Sequence, residues 1–253
     1  MQSHYPTRLL GVLLLSLPLA LFGLAAEEKW TELSAGDKAL EAWEKPTGDW
    51  QIVESVGIDA KNSKLLSSKP GKGVLVNGAK GRTNNLVTKQ KYADVEAHVE
   101  FLIPKGSNSG VKFMGLYEIQ ILDSAGAKEL TGDSCGGIYP RAEEQPKYHH
   151  IDKGTPPKVN AAKPAGEWQT LDVIFQAPRF DADGKKTANA KFVKVVLNGQ
   201  VIHENVEVQH PTGSAWRLKK EIASGPLLLQ ADHGPVAFRS VRIRSLAGEK
   251  SKE

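Results

Sequence analysis

The sequence is poor in the residues that most often announce chemistry. Its 253 residues include one cysteine, Cys135. A lone cysteine excludes an intramolecular disulfide, so the folded chain must be held together by its core alone. Cys135 lies in "SCGGIY" with no nucleophile signature around it, although His149 and His150 follow closely, and a small apolar filler is its expected role. No metal motif, glycine-rich phosphate loop or nucleophile elbow is present. An excess of one charge is also missing: 33 Lys and Arg stand against 29 Asp and Glu, interleaved along the chain for a net charge of +4. A nucleic-acid footprint would concentrate base on one element, so nucleic acid is not an expected partner. Internal repeats and interdomain linkers are absent. Helical periodicity is nearly so, with one short helix-like piece at residues 35–43.

Apolar residues run from 9 to 24, interrupted by Ser16 and Pro18, with Arg8 as the only charge and "GLA" at residues 23–25. This pattern predicts a secretory signal peptide over residues 1–25, too short and poorly flanked for a comfortable membrane anchor. The expectation is therefore an exported protein, periplasmic or secreted, with no stable membrane anchor after cleavage. Residues 26–247 are expected to form a single domain, followed by a disordered tail at 248–253.

What the chain does contain is strand after strand. Residues 94–103 alternate Val95, Ala97, Val99, Phe101 and Ile103 against Glu96, His98 and Glu100. "EWQTLDVIFQAP" alternates Leu171, Val173 and Phe175 in the same way. "KFVKVVLNGQVIHENVEV" predicts a hairpin with Asn198-Gly199 at its tip. "GPLLLQADHGPVAFRSVRIRSL" reads as a second hairpin, with a bulge near Ser240 where Phe238 and Val241 break parity. Such spacing predicts an all-β, antiparallel two-sheet sandwich. Residues 140–164, with five prolines and no periodicity, are expected to fold as a loop over one sheet face.

Function must then reside in polar residues on strand faces. Read as one strand, residues 111–122 put Val111, Phe113, Tyr117, Ile119 and Ile121 on a core face. Lys112, Met114, Leu116, Glu118, Gln120 and Leu122 share the other face. Glu118 and Gln120 between apolar neighbours suit a cleft floor, the alternative being an ordinary sheet surface. In "LLLQADHG", Gln230 and Asp232 share a face and His233 follows, an acid–histidine pair fit for proton transfer or for capping a turn. Asp123 reads as a turn cap, with calcium ligation as the alternative. No cofactor is required by the sequence, and a divalent metal such as calcium is compatible with it. Trp168 offers a planar face for core packing or for stacking on a sugar, and Arg179 is placed to pair with Asp181 or Asp183.

"SNSGVKFMGLYEIQILDS", "GGIY", "KPAGEWQTLDVIFQAPRFDADGK", "LNGQVIHEN" and "GPLLLQADHGPVAFRSVRIRSL" occur in that order. Together they resemble the 3-keto-disaccharide hydrolase domain over roughly residues 30–246. The entry segment "LSAGDKAL" departs from the family pattern, and the "PKYHHIDKGTPPKVN" loop is peculiar to this chain. The resemblance implies a concanavalin-A-like jelly roll and a carbohydrate substrate oxidised to a ketone at C3. It implies that Glu118 is a base or a substrate-orienting carboxylate, with Asp232 and His233 as a second proton-transfer group. Gln120 would donate hydrogen bonds to sugar hydroxyls or a developing oxyanion. Asn108, Tyr139 and Gln230 would be further ligand contacts. Fold does not dictate function, so a carbohydrate-binding, lectin-like module and an interaction domain without a small ligand stand as alternatives.

Overall fold

The structure is a computed structural model that describes residues 1, 29–34 and 39–246. Apart from Met1, the leader read at residues 1–25 lies outside the described residues, as does the tail at 248–253. No helix among the described residues is long and apolar enough to cross a membrane.

In chain order the strands are β1 (Thr31–Glu32), β2 (Gln51–Ile58), β3 (Leu66–Val76), β4 (Leu86–Tyr92), β5 (Val95–Leu102), β6 (Asn108–Phe113), β7 (Tyr117–Leu122) and β8 (Ala142–Glu143). They continue as β9 (His149–His150), β10 (Gln169–Gln176), β11 (Arg179–Phe180), β12 (Lys186–Ala188), β13 (Ala190–Leu197) and β14 (Gln200–Val208). A single turn of helix, α1 (Ala215–Leu218), precedes β15 (Gly225–Leu229) and β16 (Ala237–Ser245). One sheet has the order β14-β13-β10-β5-β16-β3-β2, with β1 added on β16, and the second has the order β4-β15-β6-β7. All pairings between these strands are antiparallel. The fold is the expected two-sheet jelly-roll sandwich.

Alternation decides which residues meet between the sheets. Val95, Ala97, Val99 and Phe101 of β5 and Leu171, Val173 and Phe175 of β10 are buried against Val111, Phe113, Tyr117, Ile119 and Ile121 of the smaller sheet. At the centre Phe175 lies 5.2 Å from both Phe113 and Phe192, and 5.5 Å from Tyr117, between ring centroids. Cys135 joins this core, and burial pushes its thiol pKa up to about 11, as a filler rather than a nucleophile requires.

The Asn198-Gly199 hairpin is present: Leu197 pairs with Gln200, and the two tip residues have φ of 51° and 81°. The bulge also falls where parity breaks, since Phe238 pairs with Phe101 and Ser240 with Glu100, leaving Arg239 as the extra residue. Three local expectations are corrected. Residues 225–245 are not a hairpin, because β15 joins the small sheet and β16 the large one. The helix-like piece is a turn at residues 39–42, ending in a bridge from Trp43 to Thr88, and residues 35–38 lie outside the described residues. Residues 111–122 are two strands, with Met114 and Gly115 at φ of 57° and 65° turning the chain between them.

The aromatic cluster predicts its own cost. Phe175→Ala should destabilise the fold by about 3–5 kcal/mol, read from equilibrium denaturation. A loss below about 1 kcal/mol would mean that these rings do not form the centre of the core.

Candidate functional site

The β6–β7 hairpin builds the floor of the site. Phe113 pairs with Tyr117, so inward and outward faces continue across the turn unchanged, and Lys112 pairs directly with Glu118. Their side chains meet, Lys112 Nζ lying 3.0 Å from a Glu118 carboxylate oxygen. Met114 and Leu116, expected beside Glu118, instead belong to the turn and pack into the core. Glu118 is 2% exposed, and its main chain is held on both sides. Its N–H donates to Thr212 Oγ1 at 3.1 Å, and its carbonyl accepts from the Tyr139 N–H at 3.1 Å. Burial raises the Glu118 pKa above the usual carboxylate range, while the Lys112 ammonium pulls against that shift.

Room for the carboxylate comes from a missing side chain. Gly110 pairs with Gln120, and Gln230 donates its N–H to the Gly110 carbonyl at 2.9 Å, so Gly110 sits between two amide-bearing positions. A Cβ on Gly110 would fall 2.1 Å from Glu118 Oε1. Gln120 is tied down: its Nε2 donates to Asp133 Oδ1 at 2.6 Å, and its Oε1 accepts the Ile121 N–H at 3.1 Å. One N–H of its amide remains for a ligand. By contrast, the buried Oε1 of Gln230 meets no protein donor, the kind of orphan acceptor that a ligand hydroxyl satisfies.

Asp232 and His233 follow β15 on a pinned connection. Asn77, fully buried at the end of β3, donates from Nδ2 to the carbonyls of Ala231 (3.0 Å) and Gly234 (2.9 Å) and accepts the Val236 N–H at 2.7 Å. Asn85 Oδ1 accepts the Ala231 N–H at 2.8 Å, and Ser107 Oγ donates to the Pro235 carbonyl at 2.6 Å. Within the connection, Asp232 Oδ1 and His233 Nδ1 are 2.6 Å apart. That hydrogen bond raises the His233 pKa and lowers that of Asp232, and both charges are felt at Glu118.

The far wall is the irregular segment 136–155, which extends the small sheet along the free edge of β7. Gly136 donates to the Gln120 carbonyl at 2.8 Å, Gln120 donates to the Gly137 carbonyl at 2.9 Å, and Ile138 bridges onward to Thr155. This wall presents Tyr139, whose hydroxyl lies 2.9 Å from that of Tyr148 and 3.0 Å from His150 Nε2. The loop expected over a sheet face is thus an edge extension and a wall, with the short β8–β9 pair inside it.

Floor, pinned connection and wall enclose a cleft of about 520 Å³. The seven residues assigned to the site from the sequence line it: Glu118, Gln120, Asn108, Tyr139, Gln230, Asp232 and His233. Lys112, Asn85, Glu144, Tyr148 and Ser214 line it as well and were not singled out. Cross-strand register would have found Lys112 had the turn at Met114-Gly115 been recognised, whereas Tyr148 and Ser214 carry no sequence signal. Other candidates lie elsewhere. Asp123 caps a turn by accepting the Gly106 N–H at 2.8 Å. Trp168 packs against a secondary core cluster with Arg239 4.6 Å over its ring. Arg179 binds Asp94 through contacts of 3.0 and 2.6 Å. Among the described residues no group of three or more His, Cys, Asp or Glu side chains is placed to hold a metal ion.

Fold and family place the protein among carbohydrate-acting jelly rolls. More narrowly, the profile of the 3-keto-alpha-glucoside-1,2-lyase-like domain matches residues 29–244, and the chain belongs to that family. A solved structure from Parabacteroides distasonis ATCC 8503, provisionally assigned as a glycosyl hydrolase, is 26% identical with a TM-score of 0.60, over 86% of this chain and 84% of that one. A second structure from the same organism, with the same provisional assignment, is 21% identical with a TM-score of 0.53, over 86% of this chain and 100% of that one. This second likeness bears on the fold alone. No curated protein matches the chain.

Gly110→Ala tests the floor directly. The added methyl would fall 2.1 Å from Oε1, 2.9 Å from Cδ and 3.1 Å from Cγ of the buried Glu118 side chain, so the carboxylate must shift and the fold should lose about 1–3 kcal/mol, read as a lowered unfolding midpoint. Displacing the carboxylate should cut turnover in the cleft about a hundred-fold. A folded variant with undiminished turnover would show that the position of this carboxylate is immaterial.

Proposed function

We propose that the protein is an exported enzyme that cleaves glycosides whose sugar carries a ketone at C3. The observation that carries the reading is the buried Glu118, paired with the part-buried Lys112 and sharing one cleft with Asp232 and His233. A C3 carbonyl acidifies the hydrogen at C2. Glu118 takes that proton, and the C–H electron pair becomes the enolate. Burial makes Glu118 a stronger base than an exposed carboxylate, while the Lys112 ammonium pulls against that shift and favours the ionised form. As negative charge moves from the carboxylate to the enolate oxygen, the ammonium stabilises it at its new position without reorganising the site. The enolate then re-forms the ketone, creates a C1–C2 double bond and expels the C1 oxygen. His233, whose pKa the hydrogen bond to Asp232 raises, gives its proton to that leaving oxygen. Water adding across the new double bond completes a net hydrolysis.

This chemistry differs from that of ordinary glycosidases, which set two carboxylates astride the glycosidic bond. Here one acid is paired to a cation and another to a histidine. The family description and the orphan Gln230 acceptor support a hydroxyl-rich ligand. Export rests on the apolar leader of the sequence.

The test is incubation with 3-keto-trehalose or a 3-keto-glucoside, following release of the 3-keto monosaccharide. Glu118→Gln should lower kcat/KM by about 10²–10⁴-fold. Binding without turnover in the wild type would instead support the lectin-like reading, and full turnover by Glu118→Gln would remove Glu118 as the base. The pH profile of kcat/KM should be bell-shaped, its acid limb set by deprotonation of Glu118 and its alkaline limb by loss of the His233 proton. Because Asp232 raises the His233 pKa, Asp232→Asn should move the alkaline limb to lower pH. An unmoved limb would exclude His233 as the acid.

A further inference from the structure

The far wall carries a hydrogen-bonded cluster that the chemistry of the floor does not use. Tyr139 and Tyr148 both line the cleft, whereas His150, in β9, is exposed to solvent. The Tyr139 hydroxyl is the hub, 2.9 Å from the Tyr148 hydroxyl and 3.0 Å from His150 Nε2. The rings brace one another edge-on, the His150 centroid lying 5.1 Å from that of Tyr139 and 5.9 Å from that of Tyr148. Tyr139 is also fixed at its main chain, because its N–H donates to the Glu118 carbonyl at 3.1 Å. The cluster therefore stands in a set relation to the strand that carries the base. The charges of Glu118 and Lys112 both act on the Tyr148 hydroxyl.

Counting hydrogens shows what the cluster presents. Partial burial raises the pKa of both phenols, so both keep their hydrogens at neutral pH. The two contacts consume two hydrogens. When His150 bears a hydrogen on Nε2, the imidazole and the two hydroxyls supply three, and one is left over. The imidazole cation always bears that hydrogen, and the neutral ring bears it in one of its two tautomers. In a head-to-tail chain His150 donates to Tyr139, Tyr139 donates to Tyr148, and the spare hydrogen is that of Tyr148, which lines the cleft. Each donor in such a chain polarises the next, so the last is the strongest.

We propose that Tyr148 donates this hydrogen to an anionic oxygen of the bound sugar, with Tyr139 and His150 as positioning residues behind it. The inference rests on the proposed cleavage reaction for the identity of that oxygen, the C3 oxygen that becomes negative as C2 loses its proton. The developing charge is then shared between an ammonium, Lys112, and a neutral phenol whose hydrogen is already aimed. A donor fixed before the charge develops needs no reorganisation when it does.

Kojic acid tests the donor without any turnover. It is an oxygen heterocycle of sugar size whose enolic hydroxyl ionises, and the anion is distinguished from the acid by its ultraviolet spectrum. Wild type should bind the anion about ten-fold more tightly than the methyl ether of the same hydroxyl, which does not ionise, and Tyr148→Phe should erase that preference. Tyr139→Phe and His150→Ala should each shrink it, whereas His150→Gln, which retains an amide N–H near the position of Nε2, should restore it. In turnover of a 3-keto-glucoside, Tyr148→Phe should lower kcat about a hundred-fold with little change in KM. Tyr148 and His150 are exposed and Tyr139→Phe removes one oxygen, so the variants are expected to fold, as checked by their unfolding midpoints. Equal binding of the two probes by wild type, or a preference that Tyr148→Phe leaves unchanged, would overturn the donor. A preference erased by Tyr148→Phe in a protein that turns over no 3-keto glycoside would remove the proposed reaction and leave the anionic-oxygen site standing.

Discussion

A carboxylate that is 2% exposed and 3.0 Å from a lysine ammonium is the constraint around which the site is organised. Taking the carboxylate out of water costs several kcal/mol, and removing its cation would strand it, whereas Lys112 keeps 22% of its side chain exposed and loses less hydration. The surroundings show how the pair is accommodated. Gly110 leaves the space, the β6–β7 register sets Lys112 opposite Glu118, and Thr212 and Tyr139 fix the main chain of Glu118. A pair so placed favours transition states in which negative charge leaves the carboxylate but stays within reach of the ammonium. Proton abstraction next to a ketone is such a reaction.

The rest of the sandwich makes this pair rigid and brings a second group to it. The aromatic cluster around Phe175 backs the floor from the core side. Asn77, Asn85 and Ser107 hold the connection that carries Asp232 and His233, using buried hydrogen bonds that fix backbone rather than side chains. Segment 136–155 closes the third side by pairing along the edge of β7. That pairing also covers a sheet edge that would otherwise be open to association with other strands. One feature therefore serves both the site and the sheet edge.

Much of this was legible in the sequence where one face of a strand is buried and the other is not. The alternation in β5 and β10, the Asn198-Gly199 turn and the bulge at Arg239 all follow from side-chain parity and turn chemistry. The face shared by Glu118 and Gln120 was also correct, but for an incomplete reason. A turn interrupts residues 111–122, yet parity survives because Phe113 pairs with Tyr117. The same turn hid the Lys112 partnership, since in a continuous strand those two residues would stand about 20 Å apart. Met114 at positive φ gave no warning, because turns of this kind usually announce themselves with Asn or Asp. Segment 136–155 and Arg179 were out of reach for another reason: their partners are distant in sequence and chosen by tertiary packing.

The seven residues read from strand faces and from the family resemblance lie in one cleft, and the residues added by the structure extend their chemistry without displacing it. The central claim is that the floor removes a proton from C2 of a 3-keto sugar. It is tested most directly by incubating a 3-keto-glucoside with the protein in D2O and following the C2 proton signal by NMR. The account predicts a 3-keto monosaccharide bearing deuterium at C2, with a transient C1–C2 olefinic signal. Release of a 3-keto monosaccharide that keeps its original C2 hydrogen would contradict it, since the bond at C1 would then have broken without any proton leaving C2.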